Sequence, residues 1–178
     1  LGVYFSPYAR TRQTWANMKS VLEEDQDIKI VFEKPEVRIR EQEWGNLTAY
    51  DSRKWEEIEK EREEYGSLFY RFLHGESGLD VYDRISGFLD TLHRDFEKDD
   101  FPPNVLIVTH GYALRAFLMR WLHWSVDYFH ALKNPNNCEM FELRLNHANK
   151  YDLTREFPKY DSPRPVDKTI LNDATSTS

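Results

Sequence analysis

Val105-Leu106-Ile107-Val108-Thr109-His110-Gly111 is the stretch that decides the fold. Four consecutive apolar residues, three of them β-branched, predict a short strand buried on both faces, as in a parallel sheet. Thr109-His110-Gly111 ends the run, after which Leu114, Phe117, Leu118 and Trp121 recur at helical spacing. A buried strand that hands over directly to a helix places His110 beyond the carboxyl end of the sheet, where ligands of open α/β folds sit. The helix turns its free N–H groups and positive dipole end toward the same place, which suits an anion. An imidazole there can donate to a phosphate oxygen and titrates near neutrality. Gly111 admits a ligand close to the backbone. A buried structural histidine is the other reading of the same residues.

The flanking chain fits an α/β pattern. Upstream of Phe101-Pro102-Pro103, residues Leu79, Tyr82, Ile85, Leu89, Leu92 and Phe96 are spaced by three or four, predicting a long amphipathic helix. Ser77-Gly78-Leu79-Asp80 has the form of a capping box at its start. Leu1 to Phe5 reads as a strand, with Ser6 as helix N-cap and Pro7 at the first helical position. A helix follows, with Trp15, Met18, Val21 and Leu22 on its stripe, and Ile28 to Phe32 reads as a second strand. Tyr50 to Glu64 is a very polar surface helix, Val126 to Leu132 a short helix, and Met140 to Leu145 a last strand. The fold class predicted is α/β, a three-layer sandwich with a mostly parallel sheet flanked by helices. One domain is expected over 1–148. Residues 149–178 form a polar, partly disordered tail, with Ala174 to Ser178 disordered.

Composition narrows the function. The 178 residues carry 24 Lys+Arg against 31 Asp+Glu, a net charge of −7, which argues against a nucleic-acid partner. No apolar run reaches the roughly 20 residues of a membrane span. The single cysteine, Cys138, allows neither an internal disulfide nor a cysteine metal cage. Cysteine usage and the lack of a leader segment predict a cytoplasmic, or also nuclear, location.

Two further stretches carry candidate chemistry. Ser6-Pro7-Tyr8-Ala9-Arg10-Thr11-Arg12-Gln13-Thr14 lies at a second strand-to-helix junction. Arg10 falls in the first helical turn, where the dipole disfavours a cation. An arginine placed there can reach for an anion, since its planar fork matches a phosphate. Taken alone, Arg10 and Arg12 read as solvated surface residues. Arg40-Glu41-Gln42-Glu43-Trp44-Gly45-Asn46 sets two carboxylates beside an aromatic ring. A carboxyl against such a wall can be pushed up and serve as a general acid. Alone, this stretch reads as an ordinary charged loop. His123 and His130, near Trp121, Trp124 and Phe129, read as core or as a dimer face, with a wall over substrate as the other possibility.

Order and spacing together are more specific. The chain resembles the histidine phosphatase superfamily, the phosphoglycerate-mutase-like fold, from Leu1 to about Leu145. Ser6-Pro7-x-x-Arg10-x-x-Gln13-Thr14 is similar to that family's Ser-Pro-x-x-Arg-Ala-x-Gln-Thr segment. Arg40-Glu41-x-x-Trp44-Gly45 is similar to its Arg-Glu loop, Gly75-Glu76-Ser77 to its mid-chain Gly-Glu-Ser, and Val105 to Leu114 to its Val-Leu-Ile-Val-x-His-Gly-x-x-Leu segment. The Trp-Gly-Asn loop and Met119-Arg120-Trp121-Leu122-His123-Trp124 resemble a fungal and plant branch of broad-range acid phosphatases.

The resemblance implies hydrolysis of a small phosphorylated substrate through a phosphohistidine, without metal or other cofactor. It makes His110 the second pocket histidine, Arg10 a phosphate clamp and Glu41 the proton donor, with the Gly111 N–H also touching phosphate. The family's nucleophile belongs to an Arg-His-Gly triplet that would lie before Leu1, and no such triplet occurs in these 178 residues. Leu73-His74-Gly75 has Leu where Arg is required and follows the Arg10 and Glu41 motifs, so His74 reads as part of the loop entering the long helix. The expectation is an N-terminally truncated domain, missing its first strand and with little or no activity alone. A mutase-type phosphotransferase and a non-catalytic phosphate-binding module are the alternatives. Against a mutase, Gln42 stands where mutases carry a basic residue, and Arg71 is the only arginine from Tyr65 to Leu73.

Overall fold

A computed structural model describes residues 1–45 and 52–161. Three strands, β1 (Gly2–Phe5), β2 (Phe32–Pro35) and β3 (Val105–Val108), form a parallel sheet in the order β2-β1-β3. In register, Gly2 faces Phe32 and Val105, while Phe5 faces Pro35 and Val108. Alternation along β1 sorts its side chains between two layers. Val3 packs with Trp15 and Val108 on the side of α1 (Ala9–Leu22). Tyr4 points the other way, into the larger core between α3 (Gly78–Phe96) and α4 (Gly111–Trp121). The Tyr4 hydroxyl donates to Asp95 at 2.6 Å, so the buried phenol is satisfied at its polar end. The sheet is thus parallel and covered by helices on both faces.

The capping box at Ser77 and Asp80 is present in both directions. Along α3, Val81, Ile85, Phe88, Leu89 and Leu92 are buried, whereas Leu79 stays 37% exposed. The buried stripe is therefore turned slightly from the predicted one. Gly78 is required where α3 begins, because a Cβ there would lie 2.0 Å from the Tyr112 hydroxyl. Trp121, Trp124 and Phe129 belong to the core of this chain. Phe129 lies on α5 (Val126–Ala131). The polar helix α2 spans Ser52–Tyr65.

Three boundaries differ from the sequence-based expectation. The second strand is not Ile28 to Phe32 but Phe32–Pro35. It is an edge strand, so one side faces solvent and apolarity does not select its register. Pro35 is tolerated as its final residue. Glu33 of this strand accepts from Trp15 Nε1 at 2.7 Å and from Lys19 Nζ at 2.8 Å, which ties it to α1. The last predicted strand begins only at Leu143. Here β4 (Leu143–Leu145) pairs antiparallel with β5 (Tyr151–Leu153). Order continues past residue 148: Phe157 is 2% exposed, and Tyr160 N–H donates to Ala131 at 2.9 Å. The disorder expected for Ala174 to Ser178, and Asn46 of the second motif, lie outside the described residues. Among the described residues, no helix is long and apolar enough to cross a membrane.

Candidate active site

The parallel register builds the site. Because Phe5 pairs with Val108, the residues after each strand emerge together at the carboxyl end of the sheet. Ser6 N–H extends the ladder by donating to Val108 at 2.9 Å. This overturns the reading of Ser6 as an N-cap and of Pro7 as the first helical residue. Helix α1 starts at Ala9, its N-cap position is Tyr8, and no side chain caps it. The Ser6 hydroxyl, fully buried, instead lies 2.8 Å from His110 Nε2.

On the other side of the ring, Arg10 Nε donates to His110 Nδ1 at 3.0 Å. The Tyr8 ring stands edge-on to His110 at 5.2 Å between centroids, and the Arg10 guanidinium lies 5.1 Å from that ring. Tyr8 hydroxyl reaches Glu43 at 3.5 Å. Burial, then the positive fields of Arg10 and Arg84, push the His110 pKa down to about 4. The imidazole is therefore neutral at physiological pH. Burial, followed by the nearby Glu43 carboxylate, pushes the Tyr8 phenol up.

Glu41 meets a different environment from the aromatic wall expected of it. Its carboxylate accepts from the backbone N–H groups of Tyr112 at 3.3 Å and Ala113 at 3.1 Å, and from that of Gln42 at 3.1 Å. It occupies the positive end of α4 as a built-in anion. Trp44 turns away to stack on Phe72 at 5.3 Å and on Trp55 at 6.3 Å. Gly111 supplies the first N–H of α4, immediately after His110. A Cβ there would lie 3.0 Å from the Asn134 side chain, which closes that flank.

A carboxylate hub holds the Glu41 loop. Glu76 pairs with Arg40, accepts from Arg84 Nε at 3.0 Å, and accepts from Glu43 N–H at 3.0 Å. Arg84 in turn donates to Glu41 carbonyl oxygen at 3.1 Å. The two loops touch backbone to backbone: Gly45 has φ +64°, and a Cβ on it would lie 2.0 Å from the Leu73 carbonyl oxygen. Sequence reasoning missed Tyr8, Arg84 and Glu76 as members of this cluster. For Arg84 a signal existed. It lies three residues after Val81 and one before Ile85, so a cation sits on the buried stripe of α3 and needs a partner.

Arg10 and His110 are thus brought into direct contact, and Glu41 sits one helical turn away on the same helix end. His74, exposed with φ 60°, is in the loop entering α3. His93 stacks on Trp121 at 5.0 Å, His123 and His147 are exposed, and His130 lies against Phe129.

A parallel sheet with a guanidinium, an imidazole and a carboxylate gathered at its carboxyl end is the α/β class that the fold and site define. The sequence pattern of the histidine phosphatase superfamily (branch 1) matches residues 2–154. The chain belongs to that superfamily. It is 38% identical over 156 residues to a phosphoglycerate mutase-like protein of Arabidopsis thaliana, covering 84% of this chain and 48% of that protein. It is 40% identical over 131 residues to a broad-range acid phosphatase of Saccharomyces cerevisiae, covering 71% and 39% respectively. The chain thus spans about half or less of the length of these relatives. Among solved structures, a mycobacterial glucosyl-3-phosphoglycerate phosphatase superposes with a TM-score of 0.67 at 18% identity, covering 90% of this chain and 78% of that one. A second mycobacterial hydrolase superposes with a TM-score of 0.68, also at 18% identity, covering 90% and 76%. These two likenesses concern the fold.

Proposed function

We propose that this chain carries the phosphate clamp and proton donor of a phosphomonoesterase that works through a phosphohistidine. The observation that supports it most is the direct contact of Arg10 and His110 at the carboxyl end of two paired parallel strands. A guanidinium, the imidazole beside it once Nδ1 has taken up a proton, and the first N–H of α4 next in the chain offer three donors to one phosphoryl group. Glu41, held at the same helix end, is the acid that protonates the departing alcohol oxygen once it is released from the amides of Tyr112 and Ala113 and has taken up a proton from solvent. A histidine nucleophile attacks phosphorus, the alcohol leaves, and water hydrolyses the phosphoenzyme. In this reading none of the six histidines of the chain is that nucleophile, and His110 stabilises the transferring group. The similarity to a broad-range acid phosphatase, Gln42 beside Glu41 and the lone Arg71 favour hydrolysis over mutase chemistry. A small phosphorylated substrate, no metal or other cofactor, no nucleic-acid partner and a cytoplasmic or nuclear setting belong to the same reading.

The test is direct. The purified 178-residue chain should bind inorganic phosphate or orthovanadate and turn over little or no p-nitrophenyl phosphate. Turnover that is abolished by His110→Ala would overturn the assignment of the nucleophile. Failure to bind either anion would remove the pocket itself.

A further inference from the structure

His110 is held at both ring nitrogens, and the two holds differ in kind. Arg10 Nε–H can only donate, so His110 Nδ1, 3.0 Å away, is an acceptor and carries no proton. The single proton of the neutral ring is then on Nε2, which lies 2.8 Å from the Ser6 hydroxyl oxygen. Ser6 is fully buried, so it cannot itself meet a substrate. Its backbone is pinned by the ladder bond from Ser6 N–H to Val108 and by its carbonyl oxygen, which accepts from the Thr11 hydroxyl at 2.9 Å. The Ser6 hydroxyl oxygen also accepts from the Tyr8 N–H, at a longer 3.4 Å, so its short contact is the one to the imidazole of the neighbouring strand.

We infer that Ser6 is a positioning residue: its hydroxyl accepts from Nε2–H of the tautomer that the Arg10 donor selects, and so holds the ring with Nδ1 toward Arg10 and an incoming phosphoryl oxygen. The groups around the ring agree with this division. Arg10 and Tyr8 face it from the α1 junction, Arg84 bears on it from α3, and the Glu41 carboxylate stays on the amides of Tyr112 and Ala113. Among the described residues, no carboxylate is hydrogen-bonded to the ring to compete with Ser6 for the Nε2 proton. When an anion draws the Arg10 fork away, Nδ1 loses its donor. It then takes one proton from solvent, and the resulting imidazolium donates from Nδ1 to the anion while Nε2–H stays on Ser6. Serine at the strand end thus holds one edge of the imidazole and leaves the other free to work.

The inference extends the phosphomonoesterase reading only in its ligand-bound half, so the test separates the two. Nitrogen-15 spectra of the histidine-labelled chain, with His110 assigned by its loss in His110→Gln, report the tautomer without any ligand. The Nε2–H form is expected at neutral pH; an Nδ1–H form would overturn the inference. Ser6→Ala should mix the tautomers and weaken binding of inorganic phosphate about tenfold, the equivalent of one lost hydrogen bond. Unchanged tautomer and affinity in that variant would also overturn it. If Ser6→Ala does not fold, Ser6→Cys, a weaker acceptor of similar size, should shift the tautomer in the same direction, and an unchanged tautomer there would overturn the inference. A chain that shows the Nε2–H form but binds no phosphate supports the role of Ser6 and counts against the phosphomonoesterase reading.

Discussion

The two strand-to-helix junctions at the carboxyl end of the sheet are neighbours built on opposite plans. At β3 two residues, Thr109 and His110, precede the helix: His110 is its N-cap and the amides of Tyr112 and Ala113 are occupied by Glu41, a residue about 70 positions earlier. At β1 three residues intervene before α1, and the helix start is left without a side-chain cap. The β3 junction therefore contributes backbone donors and a ring. The β1 junction contributes side chains, Ser6 beneath the ring and Arg10 beside it. In the proposed reading neither junction alone makes an anion site; their adjacency does, because parallel pairing brings both chain exits to the same end.

The largest expected effect concerns the ring they share. The pKa of His110 in the folded chain is about 4, below the 6.5 of an unperturbed histidine. As pH falls, the unfolded chain takes up the proton first, so stability declines between about pH 6.5 and 4 and levels off below that. The decline from this one group is on the order of 3 kcal/mol. Urea unfolding at both ends of the window should show it, and His110→Gln should lack that share of the slope. An identical slope in the variant would mean that the ring is not held neutral.

Next in size is the clamp on the β1 side. Arg10→Lys removes the planar fork while keeping the charge, and a charged hydrogen bond is worth about 1.5–3 kcal/mol. Affinity for orthovanadate should fall by one to two orders of magnitude, read by titration calorimetry, with melting temperature little changed. Full affinity in Arg10→Lys would make Arg10 a bulk charge.

On the β3 side, Glu41→Ala leaves two backbone N–H groups at the end of α4 without their acceptor. A loss of about 1–2 kcal/mol in unfolding free energy is expected, of the size of a lost helix cap. Glu41→Gln keeps an acceptor oxygen and should recover part of that loss. Equal stability of all three chains would break the contrast between the two junctions. The smallest effect is expected for Gly111→Ala. The new Cβ meets only the exposed Asn134 side chain, at 3.0 Å, so stability should change by less than about 1 kcal/mol. Phosphate affinity should fall nonetheless if the ligand approaches the backbone there.

What the residues determined by themselves is the set of local structures and the donor types. Four apolar residues before Thr109 specify a strand wherever it pairs, although only Val108 of the four is buried because β3 ends the β2-β1-β3 order, and Ser77 with Asp80 caps α3 through contacts three residues apart. Alone, Arg10 and Glu41 read as ordinary charged surface; with His110 they were legible as a candidate set through the order and spacing of the motifs that carry the family resemblance. The partner of each was not. A serine after a strand looks the same in sequence whether its hydroxyl caps the next helix or holds an imidazole 104 residues away. A loop glutamate looks the same whether it meets an aromatic wall or the end of α4. Those choices depend on which strands are neighbours and in what register, and that is a property of long-range pairing which no short window of sequence contains.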